Sequence, residues 1–164
     1  MEVTFSITYE GGNELRVSLS TFSKESLGEE LLAQLGSTEL VDVTLLRQRG
    51  DLIANWKTLN SLITVLGKII HENQDVIFYY YCDELNLIPN MRHTRGLTPA
   101  EYRNKLFSIL FNKGRRMFPD DSLVDDLITI NTDIGTAYVH LIYQSHLSSK
   151  ADLIKDELID LASK

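Results

Sequence analysis

A continuous apolar and aromatic run, VIFYYYC at residues 76–82, constrains the fold of this chain more than any other segment. A strand that has water on one face alternates apolar and polar side chains, and this run does not alternate. A short unbroken run of this kind is typical of a strand that is covered on both faces. We therefore predict a central strand here, around which the rest of the chain packs.

Two pairs of strands are predicted, one near each end of the sequence. Every second side chain is apolar across residues 3–9 and 15–19, and the glycine pair between these runs suits a tight turn. Residues 127–131 and 137–143 have the composition of a second pair of strands. The sequence thus predicts an N-terminal and a C-terminal hairpin.

Four helices are predicted from the remaining segments. They cover residues 26–35, 56–70, 98–114 and about 149–162. The first has Ser26 and Glu29 at capping-box spacing, and the second begins its apolar face with Trp56. The third begins with Thr98 and Glu101, which can form a capping box, and it has proline in the first turn.

With a further strand at residues 41–45, the predicted order is β-β-α-β-α-β-α-β-β-α. This order favours a single α+β domain over residues 1–164. We expect a mixed or antiparallel sheet, with the N- and C-terminal hairpins packed against helices in a two-layer arrangement. The pattern leaves open which strands are neighbours.

Composition excludes several classes of protein. Hydrophobic residues make up 43% and charged residues 24% of 164 residues, as in globular domains. The single cysteine, Cys82, excludes an internal disulfide and a cysteine-based zinc cluster, which favours a reducing, cytoplasmic setting. Neither a signal peptide nor an apolar stretch of about 20 residues is present, so we expect no membrane partner.

Familiar catalytic motifs are absent from the sequence. It contains no GxGxxG or GxxxxGK[ST] loop, no HExxH helix and no GxSxG turn. The four histidines lack the spacing of metal ligands, so we expect neither a metal nor another cofactor. Asp120, Asp121, Asp125 and Asp126 form an acidic cluster that we interpret as a solvated turn before a strand, with a magnesium site as the alternative.

Two single residues allow both a structural and a functional interpretation. His140 falls opposite the apolar set of its strand, so we expect it to face solvent or to form a hydrogen bond with a neighbour, with catalysis as the alternative. Cys82 ends the central strand, where a buried thiol is favoured over a reactive one.

The segment 92–116 carries seven lysine or arginine residues and one acid, Glu101, although the whole chain has a net charge of −7. Because it follows the predicted central strand, its loop is a candidate site for an anion. The candidate binding residues are Asp83, Arg92, His93, Arg95, Tyr102 and Arg103. The favoured interpretation is that Asp83 pairs with Arg92 or Arg95 and only fixes the loop, with anion binding by unpaired arginines as the alternative.

The strand end FYYYCD at residues 78–83, the arginines after it and YRNKLF at residues 102–107 are similar to an uncharacterised family of small bacterial proteins. That family has an apolar strand ending in Cys-Asp, followed by arginines and an Arg/Lys-Phe helix. The resemblance covers residues 70–112 and departs from the pattern in the longer loop at residues 85–98. It implies a bacterial source and brings no assigned activity.

These features predict a non-enzymatic protein–protein interaction domain, such as an immunity protein, an antitoxin, another inhibitor or a regulatory subunit. A phosphate- or RNA-binding protein is the alternative, including a metal-independent nuclease in which His93 or Tyr102 transfers protons. Homo-oligomerisation through a sheet edge is a further alternative. No catalytic residue is assigned.

Overall fold

The computed structural model describes residues 1–49, 56–82 and 96–163. Within them, strands and helices follow the predicted order, except that two short helices replace the first predicted one. The strands are β1 (Glu2–Tyr9), β2 (Asn13–Thr21), β3 (Glu39–Arg49), β4 (Val76–Cys82), β5 (Leu123–Thr132) and β6 (Gly135–Gln144). The α-helices are α1 (Lys24–Leu27), α2 (Glu29–Leu35), α3 (Trp56–Glu72), α4 (Pro99–Met117) and α5 (Ser148–Ala162).

The six described strands form one mixed sheet in the order β1-β2-β3-β4-β6-β5. Strands β3 and β4 are parallel, and every other neighbouring pair is antiparallel. The predicted hairpins are β1–β2 and β5–β6, so one end hairpin lies at each side of the sheet. Strand β4 lies inside the sheet, as its unbroken apolar run predicts.

Helices cover both faces of the sheet, which confirms an α+β fold packed against helices but corrects the expected two layers to three. Ile77 and Phe78 are consecutive in β4 and neither is exposed. Ile77 packs in a cluster with residues of α2 and α5, whereas Phe78 packs beside residues of α3 and α4. Since consecutive strand residues point to opposite faces, each face of β4 needs its own helical cover.

The start of α4 is fixed by the predicted capping box. Thr98 Oγ1 accepts a hydrogen bond from the Glu101 backbone N–H at 3.2 Å, and the Glu101 carboxylate accepts one from the Thr98 backbone N–H at 2.8 Å. Between them, Ala100 is fully buried. These contacts satisfy two backbone N–H groups in the first turn of α4 and so fix the residue at which the helix begins.

The prediction of one helix at residues 26–35 is wrong about where the helix begins. Gly28 has φ +75° and divides the segment into α1 and α2, so Ser26 lies inside α1 and does not cap a helix at Glu29. The Ser26 hydroxyl instead lies 2.8 Å from the hydroxyl of Ser23. The predicted end is confirmed, because Gly36 follows α2 with φ +62°.

Candidate functional site

Only part of the candidate site predicted from the sequence lies within the described residues. Tyr102 and Arg103 are half-buried residues of α4. As neighbours on a helix, they leave the axis about 100° apart and do not face each other. The remaining candidates lie outside the described residues: Asp83, Arg92, His93 and Arg95. The convergence of these side chains stays a prediction.

His140 is buried and held between two polar side chains. Its exposed fraction is 1%. Nδ1 lies 2.8 Å from Oδ1 of Asp125 on β5, and Nε2 lies 2.8 Å from Oδ1 of Asn104 on α4. The ring of Phe107 covers one side, with 4.2 Å between ring centroids. The expectation of solvent exposure is therefore wrong, and that of a hydrogen-bonded neighbour is confirmed.

This arrangement gives His140 a positioning role in the fold. A histidine that acts as a general base needs one ring nitrogen within reach of a substrate. Here both nitrogens already face protein oxygen atoms, and the ring joins β6 to β5 and to α4. The alternation along β6 correctly placed His140 opposite Val139 and Leu141. That face of the strand is covered by α4, however, and does not meet water.

The predicted acidic cluster does not form one site. Asp125 and Asp126 belong to β5, which begins four residues before its predicted start, and they pair with β6 residues Ile142 and Leu141. Consecutive strand residues point to opposite faces. Asp125 therefore meets His140, while Asp126 lies on the α5 side. The expectation that both aspartates lie in a solvated turn is wrong.

Asp126 connects the C-terminal hairpin to α5. Its carboxylate accepts hydrogen bonds from the Tyr143 hydroxyl at 2.7 Å and from Lys155 Nζ at 3.1 Å. Burial opposes the ionisation of Asp126, but these two donors outweigh it and hold the pKa of Asp126 below its ordinary value. Burial and the nearby Asp126 raise the pKa of Tyr143. The group is a charged link between sheet and helix.

Asp120 lies three residues before β5 and accepts several hydrogen bonds. The Ser122 backbone N–H donates to it at 2.9 Å, the Ser122 hydroxyl at 2.5 Å and Gln144 Nε2 at 2.9 Å. The Ser122 hydroxyl, followed by Gln144, holds the pKa of Asp120 below its usual value. The carboxylate is thus an ion that three donors of the protein stabilise.

Side-chain charge differs strongly between the two helix layers. Helices α3 and α4 carry seven lysine or arginine residues and two carboxylates: Lys57, Lys68, Arg103, Lys105, Lys113, Arg115, Arg116, Glu72 and Glu101. Helices α2 and α5 carry two lysines and six carboxylates: Lys150, Lys155, Glu29, Glu30, Asp152, Asp156, Glu157 and Asp160. The sheet therefore separates a basic layer from an acidic one, which gives the molecule a dipole.

A shallow groove lies on the outer surface of the basic layer, between the start of α3 and the second half of α4. It is lined by Trp56, Ile109, Asn112, Lys113, Arg116 and Met117, and we call it the α3–α4 groove. Three of its apolar side chains are exposed, Trp56 by 55%, Ile109 by 44% and Met117 by 43%. Lys113 Nζ lies 5.0 Å from the centroid of the Trp56 ring.

The groove was not predicted from the sequence. The heptad-like spacing of α3 assigned Trp56 to the buried face, but its side chain lies at the first residue of the helix, beyond the edge of the core. In α4, Ile109 is exposed whereas its neighbour Leu110 takes the buried position. Adjacent residues of a helix project about 100° apart, so only one of two neighbouring apolar side chains can point directly into the core.

Comparisons with known proteins bring no family to these features. No family model, curated protein or solved structure matches the chain. The resemblance to an uncharacterised bacterial family therefore stays a prediction, and any function has to be argued from the surface and the interior of the protein itself.

Two types of site are absent from residues 1–49, 56–82 and 96–163. This part of the chain has no group of three or more histidine, cysteine, aspartate or glutamate side chains arranged to hold a metal ion. Nor does any helix within it have the length and apolar character required to cross a membrane.

A cavity of about 90 Å³ lies below the basic layer, between α3, α4 and the sheet. Its inner wall is apolar and includes Leu66, Phe78, Leu110 and Ile142.

Proposed function

We propose that this chain is a non-enzymatic protein–protein interaction domain that binds a partner through the α3–α4 groove. The partner segment carries acidic side chains together with large apolar ones. In this role the protein acts as an inhibitor of the immunity or antitoxin type, or as a regulatory subunit. The observation that carries the proposal is the exposure of Trp56, Ile109 and Met117 side by side with Lys113 and Arg116.

The composition of the groove supports a protein partner. Aromatic residues, methionine and arginine are enriched at the centres of protein interfaces, and tryptophan and arginine are frequent among the residues that dominate binding energy. Trp56, Met117 and Arg116 belong to these types. Large aliphatic side chains such as Ile109 gain little from a phosphate backbone but lose water-exposed area against an apolar side chain.

The charge of the basic layer supports an acidic partner. Arg116 and Lys105 form no ion pair with any residue that the structure describes, so their charges are available to another molecule. Oppositely charged surfaces speed association and select between partners. The acidic layer, formed by α2 and α5 on the other face of the sheet, repels the same acidic partner.

A non-catalytic role is supported by the use of the polar groups already described. His140 and Asp125, the pair that most resembles catalytic chemistry, are engaged with each other and with Asn104. Cys82 is free of a disulfide and buried, in keeping with a reducing, cytoplasmic setting.

RNA or phosphate binding through the segment 83–116 is the alternative. It requires Arg92, His93 and Arg95 to converge with Tyr102 and Arg103, and the first three lie outside the described residues. Nucleic acid on the basic layer would depend strongly on salt concentration and would be removed by nuclease.

Affinity capture of the tagged protein from its native cells, with and without nuclease, tests the proposal. We expect a protein to be recovered in equimolar amount by wild type after nuclease treatment and to be lost with Arg116→Glu. Lys68→Glu is the matched control, because it makes the same charge change on an exposed residue of the same layer, beside Glu72 and away from the groove.

Recovery of nucleic acid alone, lost after nuclease, would transfer the function to the basic segment. Equal loss of the protein partner in both charge variants would attribute binding to the general field of the basic layer and would contradict a specific groove.

A further inference from the structure

The cavity beneath α3 and α4 has a polar end. Its apolar wall continues to a mouth between the C-terminal ends of the two helices, where it is lined by His71, Arg115, Asp120 and Gln144. At about 90 Å³, the space is several times the roughly 10–15 Å³ that one water molecule requires, but its apolar wall offers water no hydrogen bonds. An apolar group is therefore the better occupant.

The mouth combines a carboxylate that the protein already hydrogen-bonds, Asp120, with a cation that has no partner among the described residues, Arg115. The Asp120 carboxylate accepts hydrogen bonds from the Ser122 backbone N–H, the Ser122 hydroxyl and Gln144 Nε2. Arg115, by contrast, is exposed and forms no ion pair with the described part of the chain. Its guanidinium has five N–H donors in a geometry that matches a carboxylate.

His71 lies at the same mouth and reinforces this polarity. Its positive charge, when present, is near enough to Asp120 to favour the ionised form of that carboxylate. The imidazole forms no hydrogen bond with the described residues, so it can provide a further donor to a bound group. A ligand that enters here meets donors at its head and hydrocarbon along its tail.

We propose that this cavity binds a small carboxylate that has an apolar tail. The tail lies between α3, α4 and the sheet against Leu66, Phe78 and Leu110, and the carboxylate lies at the mouth against Arg115. Binding here is independent of the partner proposed for the α3–α4 groove, because the cavity lies on the inner side of the two helices. A bound tail also fills the space between α4 and the strands beneath it.

Titration with hexanoate tests the site, followed by calorimetry and by NMR of leucine and isoleucine methyl groups. We expect saturable one-to-one binding, with shifts at Leu66, Leu110 and Ile142. Affinity should rise with tail length from acetate to butanoate to hexanoate, because each added methylene is removed from water. Hexylammonium, which has the same tail and the opposite charge, should bind at least tenfold more weakly.

Arg115→Gln should weaken hexanoate binding about tenfold, the loss that corresponds to one charge-assisted hydrogen bond. Arg116→Gln is the matched control, since this neighbouring arginine lines the outer groove and not the cavity. We expect it to leave hexanoate affinity unchanged. Leu66→Phe, which fills the cavity, should abolish the dependence on tail length while the chain stays folded.

Three results would overturn the proposal. Equal affinity for acetate and hexanoate would show a surface anion contact only. Equal effects of Arg115→Gln and Arg116→Gln would show a general basic surface. An absence of methyl shifts at Leu66, Leu110 and Ile142 at saturating hexanoate would show that the tail stays outside the protein, whether or not a partner binds the α3–α4 groove.

Discussion

His140 Nδ1 lies 2.8 Å from the Asp125 carboxylate in a part of the protein where His140 is 1% exposed. This contact joins the inner and outer strands of the C-terminal hairpin, and the Asn104 amide extends it to α4 at 2.8 Å from Nε2. Since α4 carries the groove and one wall of the cavity, this buried contact helps to set the position of both.

Replacing members of this group should destabilise the protein strongly. We expect His140→Ala to lower the free energy of unfolding by about 2–4 kcal/mol, because it leaves a cavity and removes the partner of a carboxylate. Asn104→Ala should cost about 1–3 kcal/mol. His146→Ala is the control: His146 pairs with Asp75 at an exposed site, so its loss should cost no more than about 1 kcal/mol.

Urea denaturation of the three variants measures these differences. A cost for His140→Ala no larger than that of His146→Ala would mean that the buried group does not hold β6 to α4.

Gly67 allows α3 to lie close to the end of α4. A Cβ atom at position 67 would lie 2.6 Å from the ring of Phe118, whereas a Cβ at Gly114 would meet Ile63 at 3.4 Å. Gly67→Ala should therefore destabilise by about 1–2 kcal/mol, since overpacking outweighs the helix-propensity gain of roughly 1 kcal/mol. Gly114→Ala should be neutral or slightly stabilising.

Thermal unfolding of both alanine variants checks this difference. If Gly67→Ala raises the melting temperature as much as Gly114→Ala, the close packing of Phe118 on α3 is contradicted. The cost of Gly67→Ala should also shrink in a Phe118→Leu background, because the smaller side chain removes the collision.

Asp120 should make stability depend on pH on the acid side. Hydrogen bonds from Ser122 and then Gln144 lower the pKa of Asp120 below its ordinary value of 3.8 in the folded state. The stability that this group contributes is therefore present above the unfolded-state pKa and is lost as pH falls through the folded-state pKa. We expect Asp120→Asn to lose stability at neutral pH and to show a shallower decline below about pH 5.

Urea midpoints measured from neutral to strongly acid pH give the required slopes. Asp121→Asn is the control, because Asp121 forms no ion pair or hydrogen bond with the described residues. A steeper acid decline in Asp120→Asn than in wild type would reverse the predicted sign and contradict the role of Ser122 and Gln144.

The sequence predicted the helices and strands better than the way they pack together. Local signals were sufficient for the capping box at Thr98, the two end hairpins and the internal strand β4, because each depends on neighbouring residues. The unbroken run in β4 also implied cover on both faces, yet the layer count was predicted as two. Ile77 and Phe78 are buried on opposite faces of the sheet, so this run is consistent with three layers and not with two.

The candidate sites depended on contacts that no local pattern contains. His140, Asp125 and Asn104 are far apart in sequence and meet only because β5, β6 and α4 pack together. The exposure of Trp56 depends on where the core ends along α3. Charge patterning was informative, since the basic segment at residues 92–116 includes most of α4 and hence much of the basic helix layer.

The emission of Trp56 tests the proposed function most directly, because Trp56 is the only tryptophan of the chain and lies in the α3–α4 groove. The probe is a synthetic amphipathic helical peptide that carries glutamates and leucines, compared with a lysine version of the same pattern and with single-stranded RNA.

We predict that the acidic peptide shifts Trp56 emission to shorter wavelength in a saturable manner, since binding removes the ring from water. Arg116→Glu should weaken this binding about tenfold and Lys68→Glu should not. Unchanged emission at the highest peptide concentration, or an equal response to the lysine peptide or to RNA, would contradict an acidic protein partner in the groove.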